Sequence, residues 1–184
     1  MNDILEFFSK RHSFYDINSV CPLTEEKIIN LIKECLKLYP SSFNSQGARL
    51  MLLFDKQHKR FWTLVEDLLL AKSEPLKASK IKDRIRSFAQ GYGTVLFFED
   101  RNITKELEKQ MPLYAENFSN WANQSNAILQ FMIWSAFANN DIGANLQHYN
   151  PLIDNTMKKE FNISDNWEFV AQTLIVFNHF SVSI

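Results

Sequence analysis

The stretch MPLYAENFSNWANQSNAILQFMIWSAFANNDIGANLQHYNPLID, Met111 to Asp154, holds the longest helical pattern in the chain, followed by an abrupt change of period. From Asn117 to Asp141, Ile128, Met132 and Ser135 fall on one side of a helix, and Leu129, Ile133 and Phe137 on another. A helix apolar around most of its circumference is a central one, needing cover from a sheet, a second subunit or both. After it, GANLQHYNP (residues 143–151) reads as a short extended piece, with Gly143 expected as a helix cap or turn.

The flanking segments supply that cover. Ile4, Leu5, Phe7 and Phe8 predict a short first helix ending near Arg11-His12. PLTEEKIINLIKECLKLYP predicts a second, with Thr24 as N-cap, acidic residues in its first turn and Pro40 as its stop. ARLMLLF reads as a buried strand, and QHKRFWTLVEDLLLA as a helix. A basic helical stretch, Lys77 to Arg86, reads as a solvated face. It leads into GYGTVLFFED, where Gly91 and Gly93 bracket a turn into a strand over Val95 to Phe98. LIDNTMKKEF predicts a late helix and WEFVAQTLIVF a last strand. Helices and strands mix without strict alternation, so the expected class is α+β, with residues 1–184 as one domain.

Bulk composition narrows the partners. Twenty basic residues against twenty-one acidic ones give a net charge of −1, and no global field favours nucleic acid or an anionic membrane. No apolar run approaches the ~20 residues of a membrane span, and no signal-peptide pattern opens the chain, so the expected location is cytoplasmic. Cys21 and Cys35 form no CxxC and have no histidine at metal spacing, so no disulfide framework and no metal site is expected. Sixteen Phe and four Trp exceed the needs of one small core, which points to an oligomer interface or a pocket for a planar ligand.

Catalytic signatures are absent. The serines at 41, 42 and 45 sit in no GxSxG elbow, and no spacing pairs them with His58, His148 or His179. Cys35 lies on a helical apolar stripe, where an inert thiol is the natural reading. A chain without its own catalytic machinery can still bind, orient and tune a cofactor that does the chemistry. Two segments suit that task. PSSFNSQ (residues 40–46) packs short hydrogen-bonding side chains between a helix and a strand, and RHS (residues 11–13) sets a guanidinium, an imidazole and a hydroxyl together as a phosphate would require.

Taken in order, RHSFY, PSSFNSQGAR, GYGTVLFFED, the Met111–Asp154 stretch and WEFVAQ resemble the nitroreductase family, and most closely its short subgroup of yeast fatty-acid-repression and bacterial copper-induced proteins. The resemblance runs from about Phe8 to Gln172. It implies an FMN-dependent α+β fold, a mainly antiparallel sheet flanked by helices, in an intertwined homodimer with two flavin sites at the interface. It further implies hydride transfer from NADH or NADPH to flavin N5, then reduction of a small aromatic acceptor, a nitroaromatic or quinone, in a ping-pong cycle. The flavin would carry the chemistry, with no catalytic side chain. Carried over position by position, Arg11, His12 and Ser13 match the phosphate-and-ribityl segment. Pro40, Ser41, Ser42 and Asn44 match the loop that reaches the flavin held mainly by the other subunit. Gln147, His148 and Tyr149 fall where the backbone passes the isoalloxazine, and Lys82 or Arg84 would be the cation near N1. The chain departs from the pattern in one respect: no Lys or Arg follows Lys159, where the family carries a cation to the phosphate. That departure leaves open a second reading, a weakly flavin-binding, non-catalytic dimer with a redox-responsive regulatory role.

Overall fold

The computed structural model describes residues 3–15, 17 and 21–177. His179, with the rest of residues 178–184, lies outside the described residues.

Four antiparallel strands form one sheet in the order β1-β2-β4-β3: β1 Ala48–Phe54, β2 Gly93–Asp100, β3 Ile142–Gln147 and β4 Trp167–Phe177. Helices cover both faces, so the expected α+β class and mainly antiparallel sheet hold. Leu96 and Phe98 of β2 pack with α3 (Asp55–Lys72), α4 (Ala78–Phe88) and α7 (Asp154–Glu160) on one face. Val95 and Phe97 pack with α2 (Glu25–Leu38) and α6 (Ala115–Ala138) on the other. Period-two alternation along a strand buried from Gly93 to Glu99 produces this division. In β4 the division changes phase. Phe97 pairs with Ala171 but Phe98 with Phe169, leaving Val170 as the extra residue of a bulge. Phe169 and Ala171 therefore enter opposite cores although they are two apart.

α1 (Asp3–Ser9) and α2 follow the sequence reading, and the Thr24 side chain accepts from Lys27 N at 3.4 Å as the N-cap. α6 is the long central helix, with Leu129, Ile133 and Phe137 buried while Ile128 stays exposed. β1 differs from the expected buried strand: it lies at a sheet edge, and only Ala48 and Leu53 of its residues are buried. α5 (Arg101–Gln110) went unread because Ile103 and Leu107 are its only large apolar residues; Asp100 caps it by accepting from Asn102 N. Gly143 is no cap. It sits inside β3, where a Cβ would come within 2.8 Å of Val176 and 2.9 Å of the Phe14 ring. The missing side chain admits Phe14 against the strand and so brings the preceding residues to this sheet edge.

Candidate functional site

The residues expected to form one site fall at two separate places. At the β3 edge, Ser13 forms a parallel bridge with Ala144, and Phe14 N donates to Ala144 O at 3.1 Å. Asn145 Nδ2 returns a bond to Phe14 O at 2.8 Å, and Gln147 Nε2 donates to Asn145 Oδ1. Arg11–Ser13 and Gln147–Tyr149 are thus gathered at one edge of the sheet. His148 is exposed there. Tyr149 turns inward onto Trp62, with ring centroids 6.1 Å apart. Burial pushes its hydroxyl pKa up, and the Arg84 cation pulls it partly back. Of Lys82 and Arg84, then, Arg84 has an electrostatic link to this edge.

Arg11 has no carboxylate partner among the described residues. Its guanidinium lies 4.5 Å from the centroid of the Trp134 ring. His12 stacks on Phe14, with centroids 4.1 Å apart, and its Nδ1 meets Lys10 O at 3.2 Å. A guanidinium without an anion, an imidazole and a backbone-fixed serine make a donor set suited to phosphate.

Pro40, Ser41, Ser42 and Asn44 lie at the opposite edge, before β1. Three inter-strand spacings separate the edges by ~14 Å. The loop is tightly determined. Ser42 N donates to Ser125 Oγ on α6 at 3.1 Å, Gln46 N donates to Ser41 Oγ at 3.0 Å, and Ala48 N donates to Tyr39 Oη at 3.3 Å. Phe43, Asn44 and Gln46 all hold left-handed backbone, with φ of 55°, 52° and 51°. Phe43 is 54% exposed yet packs against Tyr114, Phe118 and Trp121. Left-handed non-glycine residues cost about 1–2 kcal/mol each, so this conformation is imposed by its surroundings. A groove of about 510 Å³ runs between Phe43–Ser45 and Asn102, Ile103, Glu106 and Leu107 of α5.

Beneath the loop sits a polar network that sequence reading missed. Glu99, at the end of β2, is buried, and its Oε2 receives Asn126 Nδ2 at 3.3 Å. Asn126 also donates to Phe98 O and accepts from Gln130 Nε2 at 2.9 Å. Glu99 Oε1 fills the space where a Cβ on Gly47 would be, 1.9 Å away. Burial raises the Glu99 pKa, opposed by Asn126 and by the charges of Arg101 and Arg49. The available signal was Asn126 and Gln130, two polar residues four apart on the otherwise apolar side of a central helix.

A cavity of about 590 Å³ lies elsewhere, lined by Asp55, His58, Lys59 and Gln90 among others. His58 there is already engaged by Thr94 Oγ1 at 2.9 Å, and burial lowers its pKa to about 4. It gathers none of the expected site residues. Among the described residues no group of three or more His, Cys, Asp or Glu could hold a metal, and no helix is long and apolar enough to cross a membrane.

Comparison with known proteins agrees with this architecture. The nitroreductase CinD from Lactococcus lactis, solved with chloramphenicol and with 4-nitrophenol, is 34% identical; each comparison covers 96% of this chain and 90% of that one, with TM-scores of 0.86 and 0.87. The putative nitroreductase HBN1 of Saccharomyces cerevisiae is 26% identical over 170 residues, 91% of this chain and 84% of that protein. A nitroreductase with bound FMN from Desulfitobacterium hafniense, 17% identical over 98% of this chain and 92% of that one, shares the fold with a TM-score of 0.71. The model of the nitroreductase family matches residues 10–176, and the chain belongs to that family.

Proposed function

We propose that this chain is a single-domain, homodimeric FMN-dependent oxidoreductase, taking hydride from NADH or NADPH and reducing a small aromatic acceptor, a nitroaromatic or quinone, in the cytoplasm. One observation carries the reading: the two segments suited to a flavin stand at opposite edges of one sheet. Two copies, each offering its 40–46 loop to the other's β3 edge, would complete two equivalent sites. Exposed Ile4, Leu5, Ile128 and Phe131 supply apolar surface for such a pairing. That CinD was solved with a nitrophenol supports the acceptor class.

In this reading Arg11, His12 and Ser13 hold the phosphate and ribityl chain. The backbone of Gln147–Tyr149 lies along the ring system, while Ser41, Ser42 and Asn44 from the second copy hydrogen-bond its polar edge. Arg84 adds positive potential near Tyr149, which would favour the anionic reduced form of a bound flavin. FMN, when bound, supplies a nitrogen that accepts hydride and gives it up again. Anaerobic addition of NADH or NADPH to the flavin-loaded protein should bleach its visible absorbance, and a nitroaromatic should restore it. Colourless protein after FMN supplementation would sink the proposal.

The absence of Lys or Arg after Lys159 favours a second reading, a weakly flavin-binding, non-catalytic dimer with a regulatory role. One charge-assisted bond fewer costs about 1.5–3 kcal/mol of flavin affinity. Flavin that leaves during gel filtration and is not reduced by either nicotinamide would select it.

A further inference from the structure

We infer that Trp134 is a positioning residue for the anion-binding segment, holding the Arg11 guanidinium face-on so that its N–H edges stay free for a phosphate; this rests on the flavin reading above. The Arg11 guanidinium lies 4.5 Å from the Trp134 ring centroid and has no carboxylate among the described residues. An arginine stacked on an indole is oriented without using any of its donors, whereas a salt bridge would consume them.

The stack is registered by its neighbours. Phe8 packs on Phe131 with centroids 5.2 Å apart, and Asn139 Nδ2 donates to Phe7 O at 2.9 Å. Phe8 and Arg11 of the N-terminal segment thus each meet an aromatic ring of α6, Phe131 and Trp134. Trp134 Nε1 is buried without an acceptor, so its N–H does not account for the ring's placement. What the ring offers here is its face. The His12 ring also lies against an aromatic ring, that of Phe14, so both side chains proposed for the phosphate are backed by aromatic rings.

The test compares FMN with riboflavin, which lacks only the phosphate. Dissociation constants for both are measured by flavin fluorescence on wild type, Arg11→Ala, Trp134→Leu and Trp134→Phe. Wild type should prefer FMN, and Trp134→Leu should lose about tenfold of that preference. Its riboflavin affinity should stay within about twofold of wild type, since only the phosphate contact changes. Trp134→Phe keeps a ring face and should retain the preference within about threefold. If the leucine variant does not fold, Trp134→Gln carries the same test. A full FMN preference in the leucine or glutamine variant overturns the inference, as does an equal loss for both flavins, which marks a merely structural role. A wild type that binds neither flavin overturns the underlying reading instead, and is recognised before any variant is compared.

Discussion

Gly47 and Glu99 show how closely one residue can depend on another's lack of a side chain. The Glu99 carboxylate occupies the Cβ position of Gly47, and the backbone there leads from the loop into β1. Gly47→Ala should cost about 1–3 kcal/mol in chemical denaturation, because Glu99 must shift while Asn126 holds its other oxygen. Glu99 is also a pH-dependent liability. Its folded pKa is raised by burial, so its contribution to stability is fullest below the unfolded carboxylate value, near 4.3, and is lost as pH rises through the folded value. Glu99→Gln should therefore gain stability relative to wild type as melts are run from pH 4 towards 7. A constant offset across that range would contradict the burial argument.

His58 behaves with the opposite slope. Its pKa is lowered from 6.5 to about 4, so between those values the unfolded chain takes up a proton that the native state refuses. Stability should fall by about 3 kcal/mol as pH drops through that window. Much of the slope should vanish in His58→Gln, read from urea midpoints at pH 6.5 and 4.5.

At the scale of elements, the 40–46 loop is a strained device held from outside. Three left-handed residues within four positions persist because Ser125, Tyr39 and the aromatic ring set around Phe43 fix them. Ser125→Ala removes the acceptor for Ser42 N and should destabilise by about 1 kcal/mol. The loss should appear as faster hydrogen exchange at Ser42 with little change in the strands. Helical periods and turn residues made nearly every element legible in the sequence, including the polar loop itself. Strain and registry were not legible. Nothing in the string SFNSQ announces left-handed backbone at a phenylalanine, since tertiary contacts impose it. The β4 bulge was hidden because VAQTLIVF puts one polar residue, Gln172 or Thr173, on each face, so its alternation carries no phase. Gly143 was misread as a cap because its role depends on Phe14, which lies 129 positions earlier.

For the whole molecule, the fold was legible because five motifs kept their order along most of the chain. The site was legible only in pieces: the sequence pointed to both segments proposed to face the flavin, but only the sheet topology shows that one copy keeps them ~14 Å apart. Each site is therefore proposed to be shared between two copies of the chain. Mixing two inactive variants tests it most directly. Arg11→Ala removes the proposed phosphate partner, and Asn44→Asp removes a loop donor while keeping its shape and tolerance for left-handed backbone. Each variant alone should retain little FMN. A refolded mixture should contain heterodimers in which one site is intact and the other carries both lesions. Bound FMN is measured by absorbance across the gel-filtration peak. Recovery is expected in the mixture, up to about one FMN per heterodimer. A mixture with no more flavin than its two components would contradict it.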